Sequence, residues 1–164
     1  MKCKHIAESG ILVAATLVIL YTTSILPIST LSVLTLASCL IPISIIRTSI
    51  RNSVLVYISS SLLSFFILPI KMSIYYTLFF GIYGLIKYFI ENLNKLTLEI
   101  ILKLISFNIL LGLISFILIN FLGNFTLKFP IYILWVIAQI AFLIYDYALT
   151  LIISVYLQKL HKQI

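Results

Sequence analysis

The chain has 164 residues, of which 63% are hydrophobic and 9% charged, with a mean hydropathy of +1.25. Soluble domains run near half apolar and a quarter charged, so this chain has too few charges to cover a water-facing surface. The same arithmetic excludes disorder, which goes with low hydrophobicity and high charge. The net charge of +7 does not read as a nucleic-acid footprint, because the cations are scattered singly between apolar runs rather than gathered in a patch. What remains is an all-α integral membrane protein in a lipid bilayer.

A hydrocarbon layer about 30 Å thick takes roughly 20 helical residues. Punctuation by charges, Pro, Gly and Asn predicts six spans in one domain over 1–164, at about 7–26, 28–46, 50–68, 72–90, 98–122 and 130–157. Continuous apolar runs rather than alternation favour helices over a β-barrel. The first run is too long for a signal-peptide core, so it reads as a retained span. Pro42 is placed to kink the second span, and Gly81 and Gly84 make the fourth flexible or closely packed.

Cations collect in the cytoplasmic loops of membrane proteins. With the N-terminus inside, Lys2, Lys4, Arg47, Arg51, Lys87, Lys95, Lys103, Lys159 and Lys162 fall on the cytoplasmic side and only Lys71 and Lys128 outside. Both termini are therefore predicted in the cytoplasm of a multi-pass protein of a bacterial cell membrane. Tyr21, Tyr75, Tyr76, Tyr132 and Trp135 are placed near the outer interface, and Tyr57, Tyr88 and Tyr156 near the inner one.

Polar residues inside the spans are the candidates for function. Asp146 lies well within the sixth span, where a carboxylate is costly and is usually paired or lines a polar path. Gln139 sits two turns before it on nearly the same face, and Asn108 and Lys103 of the fifth span are its candidate partners. Two readings stay open: a substrate, ion or proton site, or a hydrogen bond that holds the fifth and sixth helices together. Hydroxyls are frequent in the outer half, with Thr22, Thr23, Ser24, Ser29, Thr30 and Ser32 around the first outer turn and Ser59, Ser60, Ser61 and Ser64 on the third span. Such hydroxyls either bond back to their own helix or line a cavity for a small polar molecule. Lys87, Glu91, Lys95, Glu99 and Lys103 alternate in sign every four residues, which on a helix reads as a solvated ladder of ion pairs. Cys3 and Cys39 read as unpaired thiols. His5, His161 and Cys3 are too sparse for a metal site. No nucleotide-binding Gly-rich loop, HExxH or catalytic triad is found, so the chain reads as neither an enzyme nor the holder of a cofactor.

Ala7, Gly10 and Ala14 share one face of the first span, with Ala15 beside them. Together with six short helices in about 165 residues, the stretch Ala7-Glu8-Ser9-Gly10-Ile11-Leu12-Val13-Ala14-Ala15 resembles the alanine-rich first helix of S components of energy-coupling factor transporters. The stretch from Leu40-Ile41-Pro42 through Ile46-Arg47 to the new span at Ile50 is also similar to S-component-like membrane proteins of Firmicutes. This resemblance implies a substrate-capturing subunit for a vitamin or similar nutrient, with a separate membrane coupling subunit and ATPases supplying energy. It implies docking through Ala7, Gly10 and Ala14, and solute contacts from Ser29, Thr30, Ser60 and Ser64, to which the polar span residues Asn108, Gln139 and Asp146 are added. The competing readings are a membrane scaffold of a cell-shape or wall-synthesis complex and a small proton-coupled carrier centred on Asp146.

Overall fold

The computed structural model describes residues 2–25, 30–93, 95–122 and 131–161. Six helices are long and apolar enough to cross a membrane: α1 (Lys2–Ile25), α2 (Thr30–Arg47), α3 (Ile50–Ile67), α4 (Ile70–Glu91), α5 (Leu96–Leu122) and α6 (Ile131–His161). Among the described residues there is no strand. The chain divides into two compact units, Met1–Asn94 and Lys95–Ile164.

In the first unit α1 packs on α2 and α3, and α4 packs on the same two helices. The core runs through Leu12 of α1, Ile41 and Ile45 of α2, Val56 of α3 and Leu85 of α4. α1 shows why one face turns inward: Leu12, Thr16, Leu20 and Thr23 are buried at helical spacing. Ile6, Ile11 and Val18 on its other side are about two-thirds exposed. α2 stays helical through Pro42. The turn between α2 and α3 is two residues long, and Ser49 caps α3 by accepting the Asn52 N–H.

α4 is not uniform. Its middle, Tyr76–Gly81, is a π-helical turn between α-helical Ile70–Tyr75 and Ile82–Glu91. A π turn spoils the regular hydrogen-bond ladder and survives where neighbours hold it. Here the Tyr57 hydroxyl of α3 donates to the Thr77 carbonyl at 2.8 Å. The Tyr57 ring lies so close that a Cβ on Gly81 would stand 2.7 Å from its Cε2 and 3.2 Å from the Tyr76 carbonyl oxygen. One turn on, a Cβ on Gly84 would stand 3.0 Å from Pro42 Cδ and 3.1 Å from Ile41 Cβ, two atoms of stiff side chains. Of the flexible and close-packed alternatives for these glycines, close packing is the one observed.

Further departures from the sequence reading concern polar residues. Tyr76 is fully buried in the core rather than at an interface, and Tyr57 is engaged with the π turn. The alternating charges do not make a continuous ladder, because the helix ends at Glu91 and restarts at Leu96. Lys87 and Glu91 pair at 2.8 Å, but Lys87 is 1% exposed, not solvated. Its apolar stem is covered by packing, and its ammonium runs along the helix to the more exposed carboxylate.

The glycines separate into two kinds, which gives a stability test. Gly81→Ala forces its Cβ on a ring pinned by a hydrogen bond, and costs about 1–3 kcal/mol. At Gly112, nothing lies within 4 Å of an added Cβ, and Gly112→Ala is neutral or stabilising by up to about 1 kcal/mol through helix propensity. Thermal unfolding of both variants in detergent measures the contrast. Equal midpoints would mean that α4 is not wedged against Tyr57.

Candidate functional site

The second unit is an antiparallel hairpin of α5 and α6. Its facing pairs run in opposite chain directions: Lys103 meets Asp146, and four residues on along α5 and four back along α6, Phe107 meets Phe142. On α6 the residues that meet α5, Gln139, Phe142 and Asp146, recur at spacings of three and four and so share one helix face. Phe107 and Phe142 stack with ring centroids 4.4 Å apart and planes 17° apart, and both are buried.

Polar groups occupy the seam on either side of this aromatic layer. Lys103 Nζ donates to Asp146 Oδ2 at 3.0 Å, with side-chain exposures of only 12% and 16%. Asn108 Oδ1 accepts from Gln139 Nε2 at 2.8 Å and from Trp135 Nε1 at 3.1 Å. The Asn108 amide also donates to the Leu104 carbonyl of its own helix at 2.8 Å. Asp146 lies about 18 Å from the nearer end of its span at 1.5 Å per residue. At that depth an unpaired charge is expensive, and an ammonium within hydrogen-bond distance is the strongest compensation a side chain supplies. Of the two candidate partners, Lys103 is therefore the one that meets Asp146. Asn108 is joined to Gln139 instead. Trp135 is the partner that sequence reasoning missed, and its position four residues before Gln139, on the same helix face, was the available signal.

The hydroxyl candidates fall in the first unit. Ser60 Oγ and Tyr76 Oη are 2.8 Å apart. Ser64 Oγ donates to the Ser61 carbonyl, and the Ser64 carbonyl accepts from Ser73 Oγ at 2.8 Å. Ser53 Oγ donates to Ser44 Oγ at 3.0 Å and ties α3 to α2. Ser60 and Ser64 are thus fully buried in a polar seam between α3 and α4. Thr30 opens α2 and is partly buried. Ser29 lies outside the described residues. On α1, Thr16, Thr22 and Thr23 bond back to their own helix, which is what single hydroxyls do in apolar helices. Cys39 is a buried free thiol that donates to the Thr35 carbonyl.

The face proposed for docking is open. Ala7, Gly10 and Ala14 are all exposed, and a Cβ on Gly10 would meet nothing within 4 Å. No group of three or more His, Cys, Asp or Glu that would hold a metal is found among the described residues.

Six apolar spans, polar groups paired from helix to helix and an apolar exterior are those of a multi-pass α-helical membrane protein. Compared with protein-family models, with curated proteins and with solved structures, the chain matches none.

The ion pair gives a sharp mutational contrast. Asp146→Leu takes the carboxylate partner from the largely buried Lys103 ammonium and destabilises by about 3–5 kcal/mol, whereas the double change K103L/D146L is close to neutral. Unfolding of both variants in detergent reads the difference. If the double variant is as unstable as the single one, the pair is not the source of the cost. Trp135 is the chain's one tryptophan, so Asn108→Leu, which removes its acceptor, shifts its emission to the blue. Unchanged emission would mean that Asn108 does not accept from the indole.

Proposed function

We propose that the chain is a non-catalytic subunit of a small-solute uptake system in a bacterial cell membrane, working with a larger membrane coupling subunit and ATPases. One observation carries this reading: the Ala7, Gly10 and Ala14 face of α1 is left exposed while the opposite face is used up in packing. Small residues on an open helix face let a second backbone approach closely in a bilayer. Short connections between spans leave energy supply to partner proteins. The distribution of Lys and Arg supports a cytoplasmic location for both termini, which sets the turn at Arg47 and Arg51 on the same side.

The solute contacts fall to the α5–α6 hairpin. Asn108 Oδ1 holds two donors, and a solute carrying amide or hydroxyl donors exchanges with the half-exposed Trp135 indole first. Ser60 and Ser64 are accessible to solute only if α3 parts from α4, so their first role is to hold that seam.

The test is co-purification of the tagged full-length chain in mild detergent, with proteins and small molecules identified by mass spectrometry. Recovery of a coupling subunit with two ATPases is the expected result, and G10L/A14L loses them while its own unfolding midpoint is kept. Recovery of wall-synthesis or division proteins in their place would replace this reading with the scaffold.

A second reading rests on the Lys103–Asp146 pair, which in a carrier would exchange its cation for a proton or ion. Asp146→Asn keeps a hydrogen bond to Lys103 but cannot shuttle a proton. Proton-coupled uptake into vesicles that survives this change ends the carrier reading.

A further inference from the structure

We propose that the turn between α2 and α3, with the outer face of α3, binds an anionic phospholipid. Its phosphate is held by Arg47 and Arg51, and an acyl chain lies along Leu55, Ile58, Leu62 and Phe66. The proposal rests on the six helices crossing a membrane, and not on the transport reading.

Charge supplies the first part of the argument. Arg47 and Arg51 are both exposed, and neither makes an ion pair or hydrogen bond among the described residues. The acids of this unit are already engaged: Glu91 pairs with Lys87 at 2.8 Å and Glu8 faces His5 at 3.9 Å. Arg47, in the last turn of α2, suits the negative end of that helix dipole. Arg51, by contrast, stands in the first turn of α3, which holds no acid. A cation there opposes the helix dipole, and nothing within the unit compensates it. An external anion at this point meets two guanidiniums, each able to donate in pairs to phosphate oxygens.

Position supplies the second part. The turn is two residues long and joins two spans, so both arginines lie at the depth of the lipid headgroups. Below Arg51, Leu55, Ile58, Leu62 and Phe66 follow at steps of three and four. All four are exposed, from 45% at Ile58 to 87% at Phe66. One helix face thus carries a cation at the headgroup end and an unbroken apolar strip beneath it. A soluble anion would use the arginines and leave the strip without a role, whereas a phospholipid uses both.

The experiment uses the full-length chain, purified in detergent and supplied with phosphatidylglycerol, with phosphatidylcholine, or with phosphatidylglycerol plus inorganic phosphate. Native mass spectrometry counts retained lipid, and thermal unfolding reads its effect on the midpoint. At about one kcal/mol per basic residue near an anionic surface, the wild type retains phosphatidylglycerol at least about tenfold better than phosphatidylcholine. R47Q/R51Q brings the ratio close to one, with helical content and Trp135 emission unchanged. If the double variant does not fold, R51Q alone carries the test and loses about threefold or more of the preference. Equal retention of the two lipids by the wild type, or an undiminished preference in a folded variant, would overturn the proposal. Displacement of the lipid by millimolar phosphate would overturn it too, and would assign the arginines to a soluble anion.

Discussion

A polar group inside hydrocarbon has no water to fall back on, so most are driven to a partner within the chain. That constraint organises both units. In the first, hydroxyls are matched across helix interfaces: Ser53 with Ser44, Ser60 with Tyr76, and Ser73 with the Ser64 carbonyl. In the second, the same requirement joins Lys103 to Asp146 and Asn108 to Gln139 and Trp135. Association of helices in lipid draws little from the hydrophobic effect, since the tails are as apolar as the side chains. Directional bonds and close packing must decide which faces meet.

The π turn of α4 follows from this. It presents a carbonyl, Thr77, that the Tyr57 hydroxyl of α3 takes up. The ring that delivers the hydroxyl needs the space beside Gly81, and the half of α4 beyond the turn needs Gly84 to meet Pro42. One irregular stretch thus depends on one tyrosine, two glycines and one proline drawn from three helices. Lys87 lies further along that half of α4, buried, with its charge carried to Glu91 near the helix end. The turn shifts the helix phase from there on, so the register of α4 and the burial of its lysine are set together.

Much of this was legible in the sequence. Charges and prolines mark the ends of the apolar runs, and so of the six helices, to within a few residues: Arg47, Pro69 and Glu91 each stand at or next to a helix boundary. Asp146 stood out as a lone carboxylate, and Lys103, its partner, was one of two candidates. The π turn was not legible, since it follows from the fit of Tyr57 against Gly81 and not from any local preference of Tyr76–Gly81. Tyr57 and Tyr76 looked like interface aromatics because amphipathic rings favour headgroup depth, but a hydroxyl satisfied across α3 and α4 lets the ring stay inside. The signal was the recurrence of Ser53, Tyr57, Ser60 and Ser64 at steps of three and four along α3. That pattern places all their polar atoms on one face, and a polar face on a helix in lipid must be covered by another helix.

The two units solve the same problem in ways that leave different amounts of freedom. The hydroxyl seam of α3 and α4 combines serines, each a single rotation from bonding its own helix, as Ser64 does to Ser61, with two tyrosines, Tyr57 and Tyr76, whose hydroxyls reach across to the other helix. Parting it costs little per serine, because Ser carries its fallback partner with it, but it strands the hydroxyls of Tyr57 and Tyr76. In the hairpin of α5 and α6 the Asn108 amide has such a fallback in the Leu104 carbonyl, but the ion pair does not. Neither the Lys103 ammonium nor the Asp146 carboxylate can be discharged into its own backbone without leaving a charge unpaired. The Phe107–Phe142 stack beside the pair further fixes which residues face each other. The register of the hairpin is therefore fixed by its ion pair, as that of the α3–α4 seam is fixed by Tyr57 and Tyr76. Where serine hydroxyls alone meet, as those of Ser53 and Ser44 do between α3 and α2, helix moves against helix at the least cost.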